Sequence, residues 1–170
     1  MTPALSAADI EPIAAELAAA NRAFMECYPG ESNRRQAVHV VYGGAHLFKA
    51  DSAQKLGVVA LRSLAEYAPE GDTMNEALGI PWSRQFAATI YDRVVAKLER
   101  EPTEDFRLDF EDGYGNRVDS EEDGHAASAA EQVAAGLAAG SLPAFIGIRV
   151  KPFNEDNRAR SVRKIGRAHV

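Results

Sequence analysis

The sequence predicts an α/β fold built on a parallel sheet, and three observations support that prediction. Short β-branched or apolar runs recur at residues 37–42, 106–110 and 144–150. Longer segments with helical periodicity separate them. The resulting order is helix, strand, helix, helix, strand, helix, strand. It leaves a crossover's length of chain between successive strands, which parallel pairing needs and a hairpin does not. An all-β fold is excluded. Three strands are too few for an eight-stranded barrel, which takes about 250 residues, so the sheet is either a small open one or part of a larger structure.

Each element has its own signal. Residues 7–25 are Ala-rich, with Ile10, Ile13, Leu17, Ala20 and Phe24 at helical spacing, and Ser6 followed by Asp9 is a helix-start signal. Tyr28-Pro29-Gly30-Glu31-Ser32-Asn33 is turn chemistry that delivers the chain into a first strand at 37–42, closed by Gly43-Gly44. Residues 51–67 form a helix with Leu56, Val59, Ala60, Leu64 and Tyr67 on one face, ended by Pro69-Glu70-Gly71-Asp72. After the break at Gly79-Ile80-Pro81-Trp82, Phe86, Ile90, Val94 and Leu98 recur every fourth residue through a helix at 83–100, which Pro102 stops. A second strand at 106–110, an Ala-rich helix at 120–139 and a third strand at 144–150 follow.

At 170 residues, with 46% hydrophobic and 26% charged side chains, the composition is that of a globular domain. No apolar run reaches the roughly 18 to 20 residues that span a bilayer, and the N-terminus lacks the basic and apolar regions of a signal peptide, so a cytoplasmic location with no membrane partner is expected. A net charge of -6 argues against nucleic acid. The single Cys27 has no CxxC or Cys/His pattern around it and is expected to pack at a helix end.

Eleven acidic side chains lie between Glu99 and Asp123. Most belong to a solvated helix end and loop, but Asp109, Glu111 and Asp112 leave a strand. Ligands of parallel α/β proteins bind at the C-terminal ends of strands. Alternation puts Asp109 and Glu111 on one face, with Phe110 and Asp112 on the other. Carboxylates this close need a cation or an arginine to offset them, and an oxygen-only set suits Mg2+ or another hard divalent ion. The plainer alternative is that they cap a helix and decorate a loop. The third strand ends in Arg149 and Lys151. An arginine there can clamp a substrate carboxylate in bidentate fashion, or simply neutralise Glu111 or Asp112.

His46 follows the first strand end and is a candidate substrate contact, although a structural role is also open to it. His39 is expected on the strand, facing a helix, and His125 is expected to face solvent. Gly43-Gly44-Ala45 lacks a phosphate-loop spacing, and no GxSxG motif is present.

Leu108-Asp109-Phe110-Glu111-Asp112-Gly113, then Glu121-Glu122-Asp123 and an Ala-rich helix, then Gly147-Ile148-Arg149-Val150-Lys151-Pro152, resembles the D-[LF]-E-D … A-R … [VI]-R-[VI]-N-P pattern of the HpcH/HpaI aldolase and citrate lyase β-subunit superfamily. The acidic strand also resembles its counterpart in malate synthases. The resemblance implies the first three strands of a phosphoenolpyruvate/pyruvate-type (β/α)8 barrel, behind an N-terminal helical extension. It implies a Mg2+-dependent lyase acting on a keto acid or acyl-CoA-like substrate through a metal-stabilised enolate, in a protein that is often homo-oligomeric. Glu111 and Asp112 would lie near the metal or its waters and take part in catalysis. Arg149 would hold substrate, with Lys151 and His46 as further contacts. The direct metal ligands would come from later strands. Lys151 stands where the pattern has Asn, so contacts there are expected to differ. The alternative from another class is a small non-catalytic α/β domain that binds a cation or a protein through its acidic edge.

Three regions are therefore expected. Residues 1–36 form a helical extension and residues 37–164 form the truncated first part of a barrel. Residues 165–170 form a non-native tail, because Ile165-Gly166-Arg167-Ala168-His169-Val170 is what an adapter-like string, ATC GGA AGA GCA CAC GTC, encodes in frame. The basic stretch before the tail is expected to stop without a closing element, leaving a chain that is inactive and prone to associate.

Overall fold

A computed structural model describes residues 6–168; Met1–Leu5, which bear on the leader expectation, and His169 and Val170 of the expected tail lie outside the described residues. Two compact units divide the chain, residues 1–36 and 37–170. The first holds α1 (Ala7–Cys27), whose start is a capping box: the Ser6 N–H donates to the Asp9 carboxylate at 2.9 Å. Its apolar side chains Ile10, Ile13, Leu17 and Phe24 are exposed. Cys27, expected to pack, is exposed as well.

The second unit contains an open, wholly parallel sheet in the order β1 (Val40–Gly44), β2 (Asp105–Asp109), β3 (Phe145–Arg149). Helices α2 (Ser52–Tyr67), α3 (Gly71–Leu78) and α4 (Arg84–Arg100) join β1 to β2, α5 (Asp119–Ala139) joins β2 to β3, and α6 (Arg158–Ala168) follows β3. This is a partial (β/α) arrangement with an N-terminal helix before it, as the sequence predicts. No described helix is long and apolar enough to cross a membrane.

Several expectations need correction. The first strand is shifted toward its glycines and runs through Gly43 and Gly44 instead of ending before them. A Cβ on Gly43 would stand 2.6 Å from the Phe106 ring, so this glycine serves packing inside the strand, not a turn. His39 precedes the strand and is exposed rather than facing a helix. Helix α3 was not predicted. It starts at Gly71, where a Cβ would meet the Ala87 backbone at 2.7 Å, and ends at Gly79 in the left-handed region. The basic C-terminal stretch does not simply stop but forms α6, which takes in Ile165–Ala168 of the expected tail.

The hydrophobic core lies on one face of the sheet. Phe106, Leu108 and Phe110 project from β2 and its exit against Ala126 and Ala129 of α5, with Ala45 and Phe48 beside them. Alanines on α5 let the helix lie close to the strand. Alternation sends Asp105, Arg107 and Asp109 to the opposite face. Register aligns Tyr42 with Arg107 and Gly147 there, and Gly44 with Asp109 and Arg149. Gly147 makes room for the Arg107 guanidinium, whose Nη1 lies 2.3 Å from where a Cβ would be.

Candidate functional site

The last rung of the sheet, Gly44, Asp109 and Arg149, sets the site. Asp109 is almost fully buried. Arg149 donates to it twice, from Nε to Oδ1 at 2.9 Å and from Nη2 to Oδ2 at 2.5 Å. The backbone N–H groups of Glu111 and Gly113 donate to the same two oxygens at 2.8 Å each. Arg149 first of all, and the two N–H groups after it, hold the Asp109 carboxyl below the ordinary range against the opposing effect of burial. Asp109 in turn pushes the Arg149 pKa upward.

The chain leaves β2 in a turn closed by bonds from the Tyr114 and Gly115 N–H groups to the Glu111 carbonyl. That turn brings Glu111 to 3.4 Å and Asp112 to 3.3 Å from the Arg149 guanidinium. The expected separation of Glu111 and Asp112 onto two faces therefore does not hold, because pleat alternation stops where the strand stops. The Tyr42 ring lies under the guanidinium, 4.6 Å away, a cation–π contact that sequence reading missed. The signal was available, since Tyr42 sits two residues before Gly44 on the same strand face.

Lys151, a candidate substrate contact, is buried and paired with Glu122 of α5. The same carboxylate takes Lys164 and Arg160 of α6. Burial alone would raise the Glu122 pKa, but Lys151 and Lys164 outweigh it and the pKa is lowered. Arg163 adds contacts to Asp119 and Asp123, so α6 is held on α5 by charge.

His46 lies in the 3-10 turn Ala45–Leu47 after β1, edge-on to Tyr114 with ring centroids 5.4 Å apart. Its Nδ1 is buried and has no hydrogen-bond partner among the described residues, and burial, with Arg117 and His125 nearby, lowers its pKa. His125, expected in solvent, is half-buried, and its Nδ1 is 2.6 Å from the Tyr114 hydroxyl. Arg149, Glu111 and Asp112 are thus brought together, while Lys151 and His46 sit in neighbouring contacts of their own.

Whether these residues suit a divalent cation is a question of free oxygens. Magnesium takes about six oxygens at short range, several from water. Both Asp109 oxygens are engaged, and Glu111 and Asp112 face a guanidinium. No group of three or more His, Cys, Asp or Glu side chains able to hold a metal ion occurs among the described residues. By themselves these residues do not make up a complete divalent-cation site among the described residues.

Fold and site define an open parallel α/β domain with an arginine–carboxylate cluster at the C-terminal edge of its sheet. Residues 17–166 match the model of a family described as a domain of unknown function, DUF6986, and the chain belongs to that family. No curated protein and no solved structure matches it.

Proposed function

We propose that the domain is part of a carbon–carbon lyase that acts on a keto acid or an acyl-CoA-like substrate, with Arg149 as the group that holds the substrate's carboxylate. One observation supports the reading above the others. A rigidly held guanidinium stands at the C-terminal end of a parallel strand, where ligands of such sheets bind. Asp109 and Tyr42 fix its orientation, and of its acidic partners Asp112 is the most exposed, with 81% of its side chain open to solvent. An incoming carboxylate exchanges with Asp112 on the Nη1 side while the Asp109 fork stays in place. The held guanidinium then orients the substrate through its carboxylate, and Glu111, 3.4 Å from the same guanidinium, is the group that takes a proton from the neighbouring carbon. A divalent cation would supply enolate stabilisation in this class of reaction, with ligands from residues other than these.

The test is proton exchange. The protein expressed from its natural gene is incubated with pyruvate and Mg2+ in D2O, and loss of the methyl signal is followed by NMR. Exchange above the protein-free control is expected, falling at least about tenfold in R149K, which cannot form the fork. No exchange with pyruvate, together with no cleavage of oxaloacetate, would overturn the reading in favour of a non-catalytic domain.

A further inference from the structure

The first turns of helix α5 hold both chain segments that form the Arg149 cluster. Glu122 and His125 are three residues apart and lie on one side of the helix. Glu122, fully buried, pairs with Lys151, two residues beyond Arg149. His125 bonds Tyr114, two residues beyond Asp112. Two residues of chain span at most about 7 Å, so neither segment has slack. A displacement of Lys151 or Tyr114 must reach the charged groups behind it.

The second anchor is a side-chain hydrogen bond between α5 and the acidic turn. Burial first, and Glu122 next, push the Tyr114 phenol up to about 12, so it keeps its proton near neutrality. The Tyr114 hydroxyl and His125 Nδ1 share one hydrogen bond 2.6 Å long. The first anchor is a carboxylate shared by cations from two elements, which ties the exit of β3 and α6 to the same helix turn.

We propose that Glu122 and His125 are positioning residues: together they hold the exit of β3 and the acidic turn after β2 so that Glu111 and Asp112 meet Arg149. This concerns the geometry of the cluster and stands whether or not the lyase reading does. If these residues only stabilised the fold, their loss would loosen the sheet's ionic face evenly.

The Arg107–Asp105 pair provides the control. It lies on the same face, with Arg107 Nε donating to Asp105 at 3.1 Å, and neither α5 anchor is close to it in sequence. Hydrogen exchange of the two arginine Nε–H groups is measured by NMR in the full chain and in Y114F, H125F, H125Q and E122Q. Exchange at Arg149 is expected to rise about tenfold in Y114F and H125F while Arg107 stays within about twofold. H125Q, whose amide can hydrogen-bond the Tyr114 hydroxyl in either role, is expected to bring Arg149 back toward the wild-type rate. E122Q is expected to act in the same direction as Y114F; if it does not fold, Y114F and H125F decide. Equal acceleration of both arginines, an unchanged Arg149, or an H125Q variant as fast as H125F would overturn the proposal.

Discussion

Asp109 shows how one side chain can organise a strand end. Its four hydrogen bonds link the fork of Arg149 to two backbone N–H groups of the following turn, so the residue shapes both the site and the loop that carries Glu111 and Asp112. Replacing it with Asn removes the charge beneath a part-buried guanidinium. D109N is expected to cost about 2–3 kcal/mol at pH 7, read from urea denaturation. The pH dependence follows from the lowered pKa. A depressed carboxyl contributes stability that is fully present above its unfolded value, about 3.9, and is lost as pH falls through the lower folded value. The gap between wild type and D109N should therefore be constant above about pH 4 and close below it; a gap that persists in acid would contradict this account. Arg149 and the three acids were legible because strand ends carry function in parallel sheets. His125 was not. Its helix position suggested solvent, and only the turn after β2, which brings Tyr114 back to α5, supplied its partner. Lys151 is the converse case, a cation at a strand end that folding turned inward to Glu122.

Among the elements, α3 and α4 approach each other closely at Gly71. The closeness of Gly71 to the Ala87 carbonyl leaves no room for a methyl group, so G71A should push the helices apart and cost about 1–3 kcal/mol, with a lower thermal midpoint. An unchanged midpoint would show that α3 can shift freely. Periodicity located α2, α4 and α5 to within a residue or two because each repeats over several turns. It passed over α3, a helix of eight residues opened by a glycine, and α6, whose many charges make little sense until the acidic start of α5 lies opposite them. The strand β1 was placed early for a related reason: Gly43-Gly44 has the chemistry of a turn when seen alone, and of a tight strand crossing once the Phe106 ring is beside it.

For the whole molecule the pattern of exposure matters most. The apolar stripe of α1 is open to solvent, with Leu17 59% and Phe24 62% exposed, and Val40 and Tyr42 on the edge strand β1 are open too. Such surfaces favour association. Sedimentation equilibrium is expected to show a weight-average mass that rises with concentration, and the double substitution I13E/L17E to reduce that rise. A concentration-independent monomer would count against it. What the sequence determined by itself was the alternation of helices and strands, the parallel sheet and the strand end where charge collects, because periodicity and strand-end position are local properties of the chain. What only the tertiary structure decided was which charges pair: Arg149 with three acids across two strands, and Lys151 and Lys164 with one buried carboxylate. Those choices depend on register, turn geometry and the loss of solvent around each group, which arise only when distant segments are brought together.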